Sequence, residues 1–279
     1  MIAVFDERFP VVEGRITDRI YEIGPTKQKV KLFASATMGH LGAAVRTGQI
    51  ISQHSPALII YFGTAASLRP DEVQLGDVVI PRKAVSRVYE KISERGQKDY
   101  DERVSVGGFK EFFFESTALI SDIWTKDTSE DALPALATLD IKKVVLAKGA
   151  DGEVKLGDKT FALRAPRVMD DVDVFSCGMV IDSVAYREFI RTLLNEHLRK
   201  AAIVDMESYG FFGAIDASKK GGAVGSSTEG LMIKGISDYA GRKSQTEALP
   251  TEWKELSLKN AATVAALLLE RLTGAAPAP

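Results

Sequence analysis

The chain has 279 residues, 45% of them hydrophobic and 27% charged, with a formal net charge of −2. This is globular composition, long enough for one large α/β domain or two small ones. The charge balance argues against general attraction to nucleic acid or to an anionic membrane. The single cysteine, Cys177, excludes an internal disulfide and fits a reducing compartment, and three scattered histidines give no metal-ligand spacing. MIAVFDERFP lacks the basic head and apolar run of a signal peptide, and ALIIYFG and AALLLERL are too short to cross a bilayer. A cytoplasmic protein without a cofactor is expected.

In chain order, KVKLFASA (29–36) reads as a strand, and ATMGH turns into a helix over LGAAVRTGQIISQHS, with Leu41, Ala44, Val45, Gly48 and Ile51 on one face. PALIIYFG is a buried strand, introduced by a proline and followed by the small-residue turn GTAAS. DVVIPRKAV is a further strand, with Pro81 marking an end or an edge. FKEFFFESTALISDIW and EDALPALATLD have helical patterns, and the aromatic face of the first suits core or a subunit interface. KKVVLAKG and KTFALR read as strands, connected by ADGEVKLGD. SVAYREFIRTLLNEHLRK is an amphipathic helix, and the strands AAIVD and LMIKGIS flank a helix over MESYGFFGAIDASK. A terminal helix, TEWKELSLKNAATVAALLLERL, carries Trp253 as its anchor. Strands alternating with helices predict an α/β fold, a single domain over 1–272 with a central mixed, largely parallel β-sheet flanked by helices, and a disordered tail at 273–279.

Ligands of open α/β sheets bind beyond the carboxyl ends of strands. Four such places stand out: ATMGH, GTAAS, DMES and SDYA. The first two are small and rich in backbone N–H groups; the last two carry Glu207 and Asp238. MGHLG is neither a dinucleotide fingerprint nor a P-loop. Each feature also has a plain structural reading. Gly39, Gly42 and Gly63 ease tight turns, Asp238 is a helix cap or Asx turn, and Glu207 opposes a helix dipole. Cys177 reads as a small buried residue rather than a nucleophile.

FGTAASLRPDEVQLGDVVIP, IVDMES and IKGISDYA, in this order, resemble the nucleoside phosphorylase/nucleosidase superfamily, most of all its methylthioadenosine/S-adenosylhomocysteine nucleosidase branch. The small-residue turn and LGDVV fall at 63–80, the Val-Asp/Glu-Met-Glu segment at Val204–Glu207, and the Lys-x-Ile-Ser-Asp strand end at Lys234–Asp238. The resemblance implies cleavage of an N-glycosidic bond in a purine nucleoside or nucleotide. Asp238, protonated, would donate to purine N7, oriented by Ser237. Glu207 would bind the ribose hydroxyls and stabilise an oxocarbenium-like sugar, with Met206 packed against it. Gly63, Thr64 and Ala65 would face the sugar or nucleophile. CGMVIDS would bring Val180 and Ile181 to the base, and His40 would either touch a ribose 5′ substituent or serve only as a turn histidine.

Phosphorylases of this superfamily hold phosphate with cations, commonly an arginine before the small-residue turn. Here Tyr61 and Phe62 occupy that stretch, leaving Arg46 and Arg69 as unplaced candidates, so water is the expected nucleophile. Its activating glutamate would be Glu7, with Asp6 as the alternative, although MIAVFDERFPVV matches the family's first strand poorly. A phosphorylase and a non-catalytic nucleotide-binding module are the alternatives. The resemblance also implies a homo-oligomer, a dimer or hexamer.

Overall fold

The structure, a computed structural model, describes residues 2–15, 18–35, 38–81, 84–86, 144–149, 153–156, 159–197, 200–220, 227–241 and 250–274. Its elements are α1 (Ile2–Arg8), β1 (Val11–Arg15), β2 (Asp18–Ile23), β3 (Gln28–Phe33), α2 (Gly39–His54), β4 (Leu58–Ser67), β5 (Val78–Val79), β6 (Ala84–Ser86), β7 (Glu153–Leu156) and β8 (Lys159–Ala162). They continue as β9 (Val168–Met169), β10 (Asp173–Ser176), α3 (Val184–His197), β11 (Ala201–Asp205), α4 (Ser208–Lys220), β12 (Glu229–Asp238) and α5 (Pro250–Leu272).

The central sheet has the order β6-β10-β11-β4-β12-β5-β9. Four of its six pairings are parallel; β11 runs antiparallel to β4, and β5 antiparallel to β12. This is the mixed, largely parallel sheet the alternating pattern predicts. β12 is buried on both faces, which is why its sequence is nearly continuous in apolar residues. Leu231 and Ile233 turn to one side, against Ala261, Ala262, Ala265 and Leu268 of α5 and Phe5 of α1. Met232 and Ile236 turn to the other, against Phe211, Phe212 and Ile215 of α4 and Ile51 of α2. The alternation is the two-residue repeat of a strand. Trp253 anchors α5 by packing with Leu75 and Tyr239.

Several expectations require correction. β3 belongs to an antiparallel three-stranded sheet, β1-β2-β3, and not to the central one. Residues 144–149 form no strand, whereas β7 lies inside the segment expected to connect two strands and pairs with β8. The α2 face turned inward carries Ala43, Thr47 and Ile51, while Leu41 and Val45 are 78% and 52% exposed. The cause is the close crossing of α2 and α4, where a Cβ on Gly210 would stand 1.9 Å from the His40 carbonyl oxygen. Such an approach admits small side chains only. The two helices expected between 109 and 140, and the tail beyond 274, lie outside the described residues. No helix among the described residues is long and apolar enough to cross a membrane.

Candidate active site

β4 forms the floor of the site because strands of opposite direction end on either side of it. β12 places Asp238 opposite Ala66, and antiparallel β11 places Val204 opposite the same Ala66 from the other side. The segment after β11 and the end of β12 therefore converge on one point, across β4 rather than beyond a common sheet edge. The register of β12 against β4 shifts between Ile236 and Asp238. Such an irregularity re-aims the side chains beside it.

The resulting cleft of about 350 Å³ is floored by Thr64, Ala65 and Ala66. Asp205, Met206 and Glu207 line it from the β11 side, and Ser237 and Asp238 from the β12 side. Met179, Val180, Ile181 and Met38 give it apolar walls, and Lys254 from α5 completes the lining. Thus eight residues named from sequence, Thr64, Ala65, Val180, Ile181, Met206, Glu207, Ser237 and Asp238, come together.

Glu207 bridges two elements. Its Oε1 accepts the Gly39 N–H at the start of α2 (3.3 Å), and its Oε2 accepts from Lys234 Nζ (3.2 Å). Its own carbonyl accepts the Phe211 N–H (3.0 Å) and opens α4, so the residue both begins a helix and faces the cleft. Lys234 is the one charge inside the apolar run of β12, and only 1% of it is exposed. Its Nζ lies 2.8 Å from Asp205 Oδ2 and 4.9 Å from the Tyr61 ring centroid. Burial alone would push this ammonium down. Asp205 first, then Glu207 and Tyr61, outweigh burial and hold its pKa up at about 12. Asp205 is fixed in turn by the Ser208 backbone N–H (3.1 Å) and by the Ser208 hydroxyl.

Asp238 accepts from Ser237 Oγ (3.1 Å) and from the Ala240 N–H (3.0 Å). The second bond is the Asx-type turn that a plain structural reading predicts, and it coexists with the carboxyl's place in the cleft. Ala240 is buried with φ 52°, a left-handed conformation that costs a non-glycine residue about 1–2 kcal/mol. The preceding carbonyl, that of Tyr239, is held by Arg187 Nη1 at 3.1 Å. Strain of this kind persists where the surroundings over-determine it, commonly beside functional groups.

His40, Gly63 and Glu7 are not among the lining residues. His40 sits behind the cleft, its Nε2 2.9 Å from Ser176 Oγ and its ring 5.5 Å from that of Tyr209. Burial lowers its pKa below the ordinary 6.5, against the pull of Asp205 and Glu207. Gly63 lies under Lys234, whose Nζ would be 3.7 Å from an added Cβ. Glu7 is exposed on α1, an element that packs against α5 on the opposite face of the sheet. Asp6 is engaged by Arg19 and by the Tyr21 hydroxyl. Arg46 lies over the Phe33 ring and Arg69 pairs with Glu72 at 3.1 Å, so neither cation reaches the cleft. Sequence reasoning missed Asp205, Lys254, Met38 and Met179 as lining residues, and the role of Lys234. A lysine in the middle of LMIKGIS is a signal, since a strand buried on both faces does not hold a charge unpaired. Among the described residues no cluster of His, Cys, Asp or Glu could hold a metal ion.

The family model described as the phosphorylase superfamily matches residues 6–273, and the chain belongs to that superfamily. Among curated proteins, it is 26% identical over 216 residues to the ATP nucleosidase Cap17 of Escherichia coli strain KTE188. That match takes in 77% of this chain but only 37% of the relative, so the chain spans little more than a third of the longer protein. Among solved structures, it resembles the 5′-methylthioadenosine/S-adenosylhomocysteine nucleosidase of Colwellia psychrerythraea 34H in complex with adenine, with a TM-score of 0.61, 14% identity and coverage of 98% and 92% of the two chains. The futalosine hydrolase of Helicobacter pylori matches with a TM-score of 0.56, 14% identity and coverage of 96% and 92%.

Proposed function

We propose that the protein is a purine nucleosidase that hydrolyses the N-glycosidic bond of an adenine nucleoside or nucleotide. The observation that carries this reading is the convergence of Glu207 and Asp238 on one cleft, from either side of Ala66. The activities named for the relatives, an ATP nucleosidase, a methylthioadenosine/S-adenosylhomocysteine nucleosidase and a futalosine hydrolase, support it.

In this reading the purine lies between Asp238 and the wall of Val180 and Ile181. Asp238 gives a proton to N7 as the bond between N9 and C1′ breaks and its electron pair leaves with the base. Glu207 binds the ribose hydroxyls and opposes the positive charge that develops on the sugar, while Met206 packs against it. Water then adds to C1′ and releases a proton to solvent, from which Asp238 regains the proton it gave to the base. Proton donation and electrostatic stabilisation of this kind are large catalytic terms. Arg46 and Arg69 lie away from the cleft, which favours water over phosphate as the nucleophile. Lys254, the cation among the described lining residues, suits an anionic 5′ substituent such as the phosphates of a nucleotide. The exposed apolar residues Met38, Leu41 and Val45, at one end of α2, suit a second copy of the chain. A single, buried cysteine, Cys177, suits the cytoplasm.

A second reading, a nucleotide-binding module without turnover, is favoured by the position of Glu7 outside the cleft. Asp238→Asn separates the two. The nucleosidase reading expects base release to fall by about 10²–10⁴-fold, the range for a lost general acid, while ligand still raises the melting temperature. Wild-type rates in that variant would reject Asp238 as the acid, and a wild-type protein that binds without turnover would favour the binding module.

A further inference from the structure

Lys234, Asp205 and Glu207 form a three-charge group. Lys234 is 1% exposed and Asp205 is 5% exposed, whereas Glu207 faces the cleft. The ammonium is nearer the buried acid than the facing one, at 2.8 Å from Asp205 and 3.2 Å from Glu207. One cation between two carboxylates leaves a single negative charge in excess. A glutamate paired alone with a buried lysine would present a neutral pair to the sugar and have little to offer a developing cation. With Asp205 behind it, the same lysine orients Glu207 without cancelling it.

We propose that Asp205 is a positioning residue that holds Lys234 back, so that the excess negative charge of the group falls on Glu207 at the sugar. The inference rests on the nucleosidase reading and extends it from the residue that touches ribose to the one that sets its charge. The geometry around Asp205 serves this role. The Ser208 N–H and hydroxyl fix its carboxylate, and Gly63 leaves room for the Lys234 side chain to cross β4 and reach it. Although Asp205 is among the residues that line the cleft, its side chain is 0% exposed, so its charge acts through Lys234 and Glu207 rather than by touching the substrate.

Asp205→Asn keeps the shape and the capacity to accept from Ser208 but removes the excess charge. The test compares binding of two purine ligands, one with a cationic pyrrolidine in place of ribose and one with neutral ribose, alongside turnover of the substrate. The expected result is a fall in kcat of about 10²–10³-fold, the scale of one lost electrostatic partner, with KM little changed. The preference for the cationic ligand over the neutral one falls by a similar factor. Asp205→Glu keeps the charge and retains the preference. The double variant Asp205→Asn with Lys234→Met returns a net negative charge to Glu207 and regains much of the preference; it also carries the test should the single variant not fold. An unchanged preference in folded Asp205→Asn, or a double variant with no more preference than the single one, would overturn the proposal. A wild-type protein that frees no base and binds neither ligand removes the nucleosidase reading itself, and this inference with it; normal wild-type turnover with an indifferent Asp205 removes only the inference.

Discussion

At the scale of single residues, the site depends on a position with no side chain. Lys234 on β12 reaches Asp205 at the end of β11 by crossing β4 at Gly63, whose added Cβ would stand 3.7 Å from the ammonium. That is ordinary contact, so Gly63→Ala is tolerated. The branched carbons of valine would need the space that Nζ occupies. Gly63→Val therefore separates Lys234 from its partners and leaves buried charges uncompensated, at a cost of about 3–5 kcal/mol. Urea denaturation measures this, and a valine variant as stable as the wild type would contradict the crossing geometry. Part of this was legible in sequence. Asp238 and Glu207 could be found as carboxylates after apolar runs, whereas Lys234 entered only as the first residue of the strand-end motif Lys234–Asp238. What Lys234 touches was not legible, because its partners come from β11 and the segment after it, and the strand between them is set by sheet order rather than by sequence distance.

At the scale of elements, α2 shows what periodicity reveals and what it hides. The apolar spacing located the helix but assigned Leu41 and Val45 to the core, where α4 instead meets the smaller Ala43 and Thr47. The contact follows from backbone proximity at Gly210, which a pattern of apolar and polar residues does not encode. Met38, Leu41 and Val45 are left outward, three large exposed apolar residues of which Met38 also lines the cleft. If a second copy covers them, Leu41→Glu disrupts the oligomer while changing the stability of the fold by no more than about 0.5 kcal/mol, the usual range for a surface position. Sedimentation velocity of wild type and variant decides this. A monomeric wild type, or a variant that assembles as the wild type does, would contradict the assignment of this face.

At the scale of the whole molecule, alternating strands and helices made the α/β class readable, and the resemblance carried by three short segments led to the superfamily. The strand order β6-β10-β11-β4-β12-β5-β9 was not readable, nor was the antiparallel entry of β11. Both are consequences of long-range pairing, and they bring the segment after β11 and the end of β12 to the same point of β4. The N-terminal segment had an equally physical reason to mislead. MIAVFDERFPVV matches a first strand poorly because residues 2–8 form a short helix and only Val11 and Val12 enter β1; Phe5 on that helix and Phe9 just after it bury themselves against Tyr21, with Phe5 stacked on Phe62. Asp6 is then engaged by Arg19, and Glu7 is left outside.

The central claim is hydrolysis at a site built from Asp238 and Glu207, and product release tests it most directly. Wild-type protein is incubated with adenosine, methylthioadenosine, S-adenosylhomocysteine, AMP or ATP, each with and without inorganic phosphate, and free adenine is quantified by chromatography. Adenine released from at least one of these in phosphate-free buffer, at a rate phosphate does not raise, is the predicted result. Release that requires phosphate would contradict hydrolysis, and binding of these ligands with no adenine released would contradict catalysis.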